Sequence, residues 1–146
     1  MVLPPDTNYH GTAFGGRILQ WIDIAGAIAA QRHSGRKVVT ASMDDMHFAV
    51  PIQLGDVVVL KAAVNYVHRT SMEVGVRVER ESDGERIHAA TAYLTYVGVD
   101  DAGHPERIRR VLPETADKKR RFADAQTRRA FRLARREALA ARRAEQ

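Results

Sequence analysis

The stretch from Asn8 to Gln31, NYHGTAFGGRILQWIDIAGAIAAQ, decides the fold. Its beginning, Asn8 to Gly16, is polar and rich in glycine, which predicts a loop. A predicted helix follows and ends near Arg32, with apolar side chains on every side. These are Ile18, Leu19, Trp21, Ile22, Ile24, Ala25, Ala27, Ile28, Ala29 and Ala30. A helix that is apolar all round is normally buried, so we expect this one to form the centre of the protein.

One carboxylate, Asp23, lies inside this apolar helix. A charged group in such surroundings is costly unless it is hydrogen-bonded or functional. Gly16, Gln20, Asp23 and Ala27 follow helical spacing and therefore share one small, polar face. We expect the chemistry of the protein on this face, near the start of the helix.

Length and composition limit the class of protein. A chain of 146 residues favours one domain that is large enough to bury a core. The absence of cysteine excludes disulfides and thiol nucleophiles and suits a reducing compartment. The first residues lack the pattern of a secretion signal, and no apolar segment approaches the roughly 20 residues that span a bilayer. We therefore expect a cytoplasmic protein.

Four segments after the helix are typical of β-strands, namely Val38–Phe48, Val57–Val67, Met72–Glu79 and His88–Val99. The sequence between them predicts turns and no crossover helix, which indicates an antiparallel sheet and an α+β fold. Such a sheet can curl around the apolar helix. One sheet face cannot cover all sides of the helix, so we also expect self-association, with sheets paired edge to edge.

The positive charge is concentrated at the C-terminal end. Residues 1–113 carry 12 Lys/Arg and 13 Asp/Glu, whereas residues 114–146 carry 11 Lys/Arg and 5 Asp/Glu. We therefore divide the chain into a folded domain, 1–113, and an Arg/Ala-rich helical extension, 114–146. We expect this helix to be exposed and to dock through Phe122 and Phe131. It lacks the interleaved aromatic residues that stack on bases, so nucleic-acid binding is not the expected role.

The motifs of several common enzyme classes are missing. The sequence has no Gly-x-Ser-x-Gly elbow, no Walker loop and no dinucleotide fingerprint. Asp45 and His47 would share a strand face and could touch a metal, but ordinary polar residues are the favoured interpretation, and we predict no metal site. What remains is Asn8, the glycines Gly15 and Gly16, and Asp23.

These remaining groups suit acyl transfer to water. Amides at a helix start can hold a carbonyl or a developing oxyanion, and glycine lets a substrate approach them closely. A carboxylate such as Asp23 can act as a general base on water or can attack directly. The amide of Asn8 can orient water or polarise a carbonyl.

The sequence resembles the hotdog-fold acyl-CoA thioesterases of the bacterial short/medium-chain and brain-type group. The blocks that carry the resemblance are Asp6–Gly11, Phe14–Gly16, Trp21–Ala25, Met43–Phe48, Pro51 with Gly55–Asp56, Arg69–Met72 and Tyr96–Asp100. Together they extend from about Leu3 to Pro113. The family usually has a longer first strand before the Asp6–Gly11 block, and here that strand is almost absent.

The resemblance implies a fold, an activity and a set of residue roles. It implies a helix wrapped by an antiparallel sheet, dimers with a continuous sheet and trimers of these dimers, with active sites between subunits. Asp23 matches the catalytic carboxylate, and Asn8 matches an asparagine contributed by the partner subunit. Gly15 and Gly16 match the helix-start backbone that holds the thioester carbonyl. Three residues match the lining of the CoA channel: Arg69, Thr70 and Ser71.

The implied activity is hydrolysis of acyl-CoA to a free acid and CoA. CoA is then part of the substrate and product, and no cofactor is predicted. Two alternatives stay open: a hotdog enoyl-CoA hydratase or dehydratase, and a non-enzymatic protein that senses acyl-CoA. The hydratases usually pair an acidic residue with a histidine, and no histidine neighbours Asp23 in sequence.

Overall fold

The computed structural model describes all residues, 1–146, and contains one antiparallel sheet between two helices. In chain order the elements are α1 (Gly15–Ser34), β1 (Lys37–Met43), β2 (Val57–His68), β3 (Ser71–Ser82), β4 (Glu85–Val99) and α2 (Ala116–Ala144). The strand order is β1-β4-β3-β2. The predicted α+β architecture is therefore confirmed. Neither helix is long and apolar enough to cross a membrane.

The core lies between α1 and one face of the sheet. Alternation along β3 and β4 directs apolar side chains toward the helix, among them Met72, Val74, Val76, Val78, Ala92, Leu94 and Tyr96, all essentially inaccessible to solvent. Val2 is also fully buried: its amide donates to the Asp56 carbonyl at 2.8 Å, and its carbonyl accepts from Gly55 at 2.9 Å. The first residues thus lie beside the start of β2, where the sequence suggested only the stub of a strand.

Only one side of α1 is buried within a single chain. The expectation of a helix buried on all sides is therefore wrong for the single chain. The buried residues are Ile18, Ile22, Gly26 and Ala30. Leu19, Ile24 and Ile28 are 37%, 53% and 43% exposed. The four-stranded sheet covers one face of the helix, and the rest of its apolar surface lies open.

The first strand is shorter than predicted. We expected a strand from Val38 to Phe48, but β1 ends at Met43, opposite Leu94. The Asp44 amide still donates to the Tyr93 carbonyl at 2.9 Å, and the chain then leaves the sheet as the Asp44 side chain turns to Arg132. The other three strands extend slightly beyond their predicted ends.

Helix α2 packs across the other face of the sheet. Thr115 caps its start by accepting a hydrogen bond from the Lys118 amide at 3.1 Å. Phe122 contacts Tyr66 edge to face, with ring centroids 5.0 Å apart, as predicted for a docking residue. Phe131 is 71% exposed, so its predicted docking role is wrong.

The main attachment of α2 is ionic. Arg128 forms a double contact with the buried carboxylate of Glu73, its closer guanidinium nitrogen being 2.7 Å from Oε1. Arg132 bridges Glu73, at 3.1 Å, and Asp44, at 2.8 Å. We call these four residues the arginine–carboxylate clasp. The clasp explains why Glu73 is only 2% exposed although it belongs to the polar face of β3.

Candidate active site

The loop before α1 is held closed by its own polar side chains. Oδ1 of Asn8 accepts from the His10 amide at 2.9 Å, and its Nδ2 donates to the Thr12 hydroxyl at 2.9 Å. Asp6 binds Nε of Arg17 at 3.0 Å, and its carbonyl accepts from the Phe14 amide. The loop therefore returns to the first turn of the helix and fixes where Asn8 lies relative to it.

The start of α1 presents free amides. Phe14 precedes the helix with an extended backbone and makes no side-chain cap. The amides of Gly15 and Gly16 donate to no acceptor in the protein. A Cβ added at Gly15 would meet nothing within 4 Å, so the approach to this backbone is open. These two donors can bind an external carbonyl oxygen, and the positive end of the helix dipole favours developing negative charge there.

Asp23 accepts two hydrogen bonds on a single oxygen. The Thr40 hydroxyl donates to Oδ1 at 2.7 Å, and the Tyr96 hydroxyl lies 3.0 Å from the same atom. No protein group donates to Oδ2. The carboxylate is thus anchored through one oxygen and has the other available for chemistry.

Strand register explains why these two hydroxyls meet Asp23. Thr40 on β1 and Tyr96 on β4 are direct partners in the antiparallel ladder. Directly opposed residues project from the same face of a sheet, here the face that carries α1. The register shifts between Thr40 and Ser42, which ends this regular alignment just beyond the site.

The sequence interpretation named Asp23 but missed both of its partners. Tyr96 follows Ala90, Ala92 and Leu94 at every second position, which could have indicated that it faces the helix. A buried tyrosine hydroxyl needs a polar partner, and Asp23 is the carboxylate within the apolar helix. Thr40 gave no local signal, because its contact depends on the β1–β4 register.

Arg69 and Thr70 form the tight connection between β2 and β3, and Ser71 is the first residue of β3. Arg69 has a positive φ of 55°, and its carbonyl accepts from the Ile108 amide at 2.8 Å. The Thr70 carbonyl accepts from Gly98 at 2.9 Å. The next residue, Met72, is the ladder partner of Tyr96, so this connection lies at the same end of the sheet as the Asp23 site.

A basic cleft of about 350 Å³ borders this connection. Its lining includes Arg69, Thr70, Ser71, Arg129, Arg132 and Arg136. Burial lowers the pKa of the neighbouring His68, and the charges of Arg129 and Arg69 lower it further. We call this site the arginine cleft; its positive potential suits phosphate groups.

The single chain does not bring all predicted residues together. Asn8 bonds only within its loop and makes no hydrogen bond to Asp23. Asp23, Asn8, Gly15 and Gly16 line none of the five main cavities. Asp45 and His47 belong to no cluster of three or more side chains that could hold a metal ion.

The chain has a hotdog-like α+β fold, and comparison with known proteins identifies the family. The model of the thioesterase superfamily matches residues 10–87. The chain is 47% identical over 118 residues to YkhA, an uncharacterized acyl-CoA thioester hydrolase of Bacillus subtilis, covering 80% of this chain and 69% of that protein. The chain belongs to the thioesterase superfamily. The predicted resemblance is thereby confirmed.

Solved structures agree with this assignment. An apo-hexameric acyl-CoA thioesterase superimposes with a TM-score of 0.89 and 42% identity, over 92% of this chain and 88% of that one. An acyl-CoA hydrolase from Staphylococcus aureus, solved with butyryl-CoA and CoA, has the same TM-score and 39% identity, over 96% of this chain and 87% of that one. A hexameric thioesterase from Yersinia pestis gives a TM-score of 0.71 and 37% identity, over 75% and 90%.

Proposed function

We propose that this protein hydrolyses acyl-CoA thioesters to a free carboxylic acid and CoA. The observation that carries the proposal is the Asp23 carboxylate, held on α1 through Oδ1 with Oδ2 free. The amides of Gly15 and Gly16, which have no acceptor within the protein, begin the same helix. A basic or nucleophilic oxygen and a pair of oxyanion donors are the two components that thioester hydrolysis requires.

The proposed reaction begins with the thioester carbonyl oxygen on the amides of Gly15 and Gly16. By one route, Oδ2 of Asp23 takes a proton from water as the water oxygen attacks the thioester carbon. By the other, Oδ2 attacks directly, and water then hydrolyses the resulting anhydride. In both routes the negative charge on the carbonyl oxygen is stabilised by the helix-start amides, and the CoA sulfur leaves with the bonding electrons. Asn8 of the partner subunit orients water or polarises the carbonyl.

Variants of a relative support these residue roles. The S. aureus hydrolase has been solved with an asparagine, an aspartate or a threonine replaced by alanine. In that protein the aspartate follows the asparagine by fifteen residues, and the threonine follows the aspartate by seventeen. Asn8, Asp23 and Thr40 have the same separations in this chain. The pattern suits a shared site in which Thr40 holds the carboxylate.

The exposed surface of α1 supports a homo-oligomer. Leu19, Ile24 and Ile28 expose apolar area that a second subunit would cover. The β1 edge of the sheet has no partner strand within the chain and can pair with its symmetry mate. Two of the similar structures are hexameric. We infer a dimer with active sites between subunits, assembled as a trimer of dimers.

The arginine cleft is the proposed site for the phosphate groups of CoA. Replacing Arg69 by alanine should raise the KM for acyl-CoA about tenfold, because a charge-assisted hydrogen bond to phosphate is lost. The kcat should change little, since this contact is equally strong before and during the reaction. Steady-state kinetics at two salt concentrations measure both effects. Arg86→Ala is the matched control, because Arg86 lies away from the cleft and binds Glu81; equal KM values in both variants would contradict the role of Arg69.

The proposed activity is tested with a panel of acyl-CoA chain lengths and detection of released thiol. Thiol release with each turnover is the expected result. Loss of enoyl absorbance without thiol release would instead indicate the hydratase alternative. Saturable CoA binding without turnover would favour the sensor. The division into residues 1–113 and 114–146 and the cytoplasmic location remain predictions.

A further inference from the structure

The hydroxyl of Tyr96 faces two oxygen atoms of one residue. Tyr96 is completely buried, and its hydroxyl lies 2.9 Å from the carbonyl oxygen of Asp23 and 3.0 Å from Oδ1. A phenol has a single proton, so it donates to one of these oxygens at a time. The choice between them depends on which oxygen carries more negative charge.

Gly26 provides the space for this hydroxyl. It lies one helical turn beyond Asp23, and a Cβ at this position would be 2.3 Å from the Tyr96 oxygen and 3.0 Å from Cζ. No side chain can occupy position 26 unless Tyr96 moves. Glycine in a helix interior is less favourable than alanine, because its backbone loses more conformational freedom on folding. The contact between Tyr96 and Asp23 accounts for a glycine where alanine would make a better helix.

We propose that Tyr96 is a positioning residue: its hydroxyl holds Oδ1 of Asp23, so that Oδ2 is the reactive oxygen. When the carboxylate loses its charge, the hydroxyl proton of Tyr96 turns to the Asp23 carbonyl. The inference rests on the proposed function of Asp23. The carboxylate loses its charge when Oδ2 takes a proton from water or forms the anhydride. The Tyr96 O–H then rotates about its C–O bond, and no covalent bond of the tyrosine breaks.

The surroundings keep this donor protonated. Burial raises the pKa of Tyr96, and the hydrogen bond to Asp23 and the negative charge of that carboxylate raise it further. The phenol therefore remains a donor throughout the pH range in which thioesterases can be assayed. Thr40, the second donor to Oδ1, has a hydroxyl that does not titrate in this range.

The first test compares kcat and KM in Tyr96→Phe and in the wild type. We expect kcat to fall about 10- to 100-fold with KM little changed, because the lost contact orients the base and does not bind substrate. Gly26→Ala, which displaces the same hydroxyl, should act in the same direction. Tyr93→Phe, on the opposite face of β4, should leave both quantities unchanged.

The second test does not depend on turnover. The difference between the ultraviolet titrations of the wild type and of Tyr96→Phe isolates the ionisation of Tyr96. In Asp23→Asn this ionisation should occur at lower pH, because the negative charge of the carboxylate is gone. An unchanged kcat in Tyr96→Phe, with Asp23→Asn inactive, would overturn the positioning role alone. Full turnover in Asp23→Asn would overturn the proposed function of Asp23 and this inference with it.

Discussion

Replacing Asp23 by asparagine is expected to reduce kcat about 10³-fold or more. The asparagine has the shape of aspartate, and its Oδ1 can still accept from Thr40 and Tyr96. The new Nδ2 atom can neither take a proton from water nor attack a carbonyl, so the chemistry fails while the fold persists. Thiol release from acyl-CoA measures the loss, and size-exclusion chromatography with circular dichroism checks assembly and folding.

A matched control distinguishes this effect from a general loss of negative charge. Asp83→Asn makes the same chemical change in the exposed β3–β4 turn, where φ is 51° and asparagine is well tolerated. This variant should keep wild-type kcat. Retention of most activity by Asp23→Asn in folded oligomers would remove Asp23 from the reaction.

Replacing Glu73 by glutamine is expected to have the largest effect on stability. The Glu73 side chain is 1% exposed and binds both Arg128 and Arg132. Removing its charge leaves two partly buried guanidinium groups, of which only Arg132 keeps an ion pair, with Asp44. Breaking such a buried network should lower the free energy of unfolding by about 3 kcal/mol. For a chain of this size that corresponds to roughly 10 °C in Tm.

The same variant should loosen α2, because the clasp is its main polar attachment to the sheet. Thermal unfolding at fixed protein concentration measures the stability, and limited proteolysis within residues 116–144 measures the docking. Glu81→Gln is the control, since Glu81 lies on the same strand and its ion pair with Arg86 is exposed. It should change the free energy of unfolding by less than about 0.5 kcal/mol. Equal stability and equal protease resistance in the two variants would contradict the role of the clasp.

The sequence was sufficient for the elements whose signals are local. The glycine-rich loop, the apolar helix with Asp23 and the alternation along β3 each depend on neighbouring residues, and each appears in the structure near its predicted position. The free amides of Gly15 and Gly16 also follow from local pattern, since every helix start leaves donors without partners.

Contacts between distant segments were missed. Thr40 and Tyr96 reach Asp23 through the register of β1 on β4, which no single segment encodes. The burial of Glu73, on the polar face of β3, depends on Arg128 of α2, which lies 55 positions further along the chain. The apolar pattern of α2 predicted docking through Phe131, which is exposed in the structure. Arginine–carboxylate pairs attach this helix to the sheet instead.

The apolar surface of α1 shows a third limit of sequence interpretation. The hydrophobicity of α1 predicts that the helix is buried, but it does not indicate whether the same chain or a second subunit covers it. The sheet of the same chain covers Ile18 and Ile22, while Ile24 and Ile28 remain open to a second subunit. A site assembled between subunits is consistent with the absence of Asp23 and Asn8 from the main cavities of one chain.

The most direct test of an active site shared between subunits is mixing two inactive variants. Asn8→Ala and Asp23→Asn are unfolded together, refolded at equal concentrations and assayed for thiol release. A mixed dimer then has one site with Asn8 and Asp23 both intact, so random pairing should restore about one quarter of wild-type activity. Refolded mixtures that form oligomers but stay as inactive as either variant alone would contradict the account.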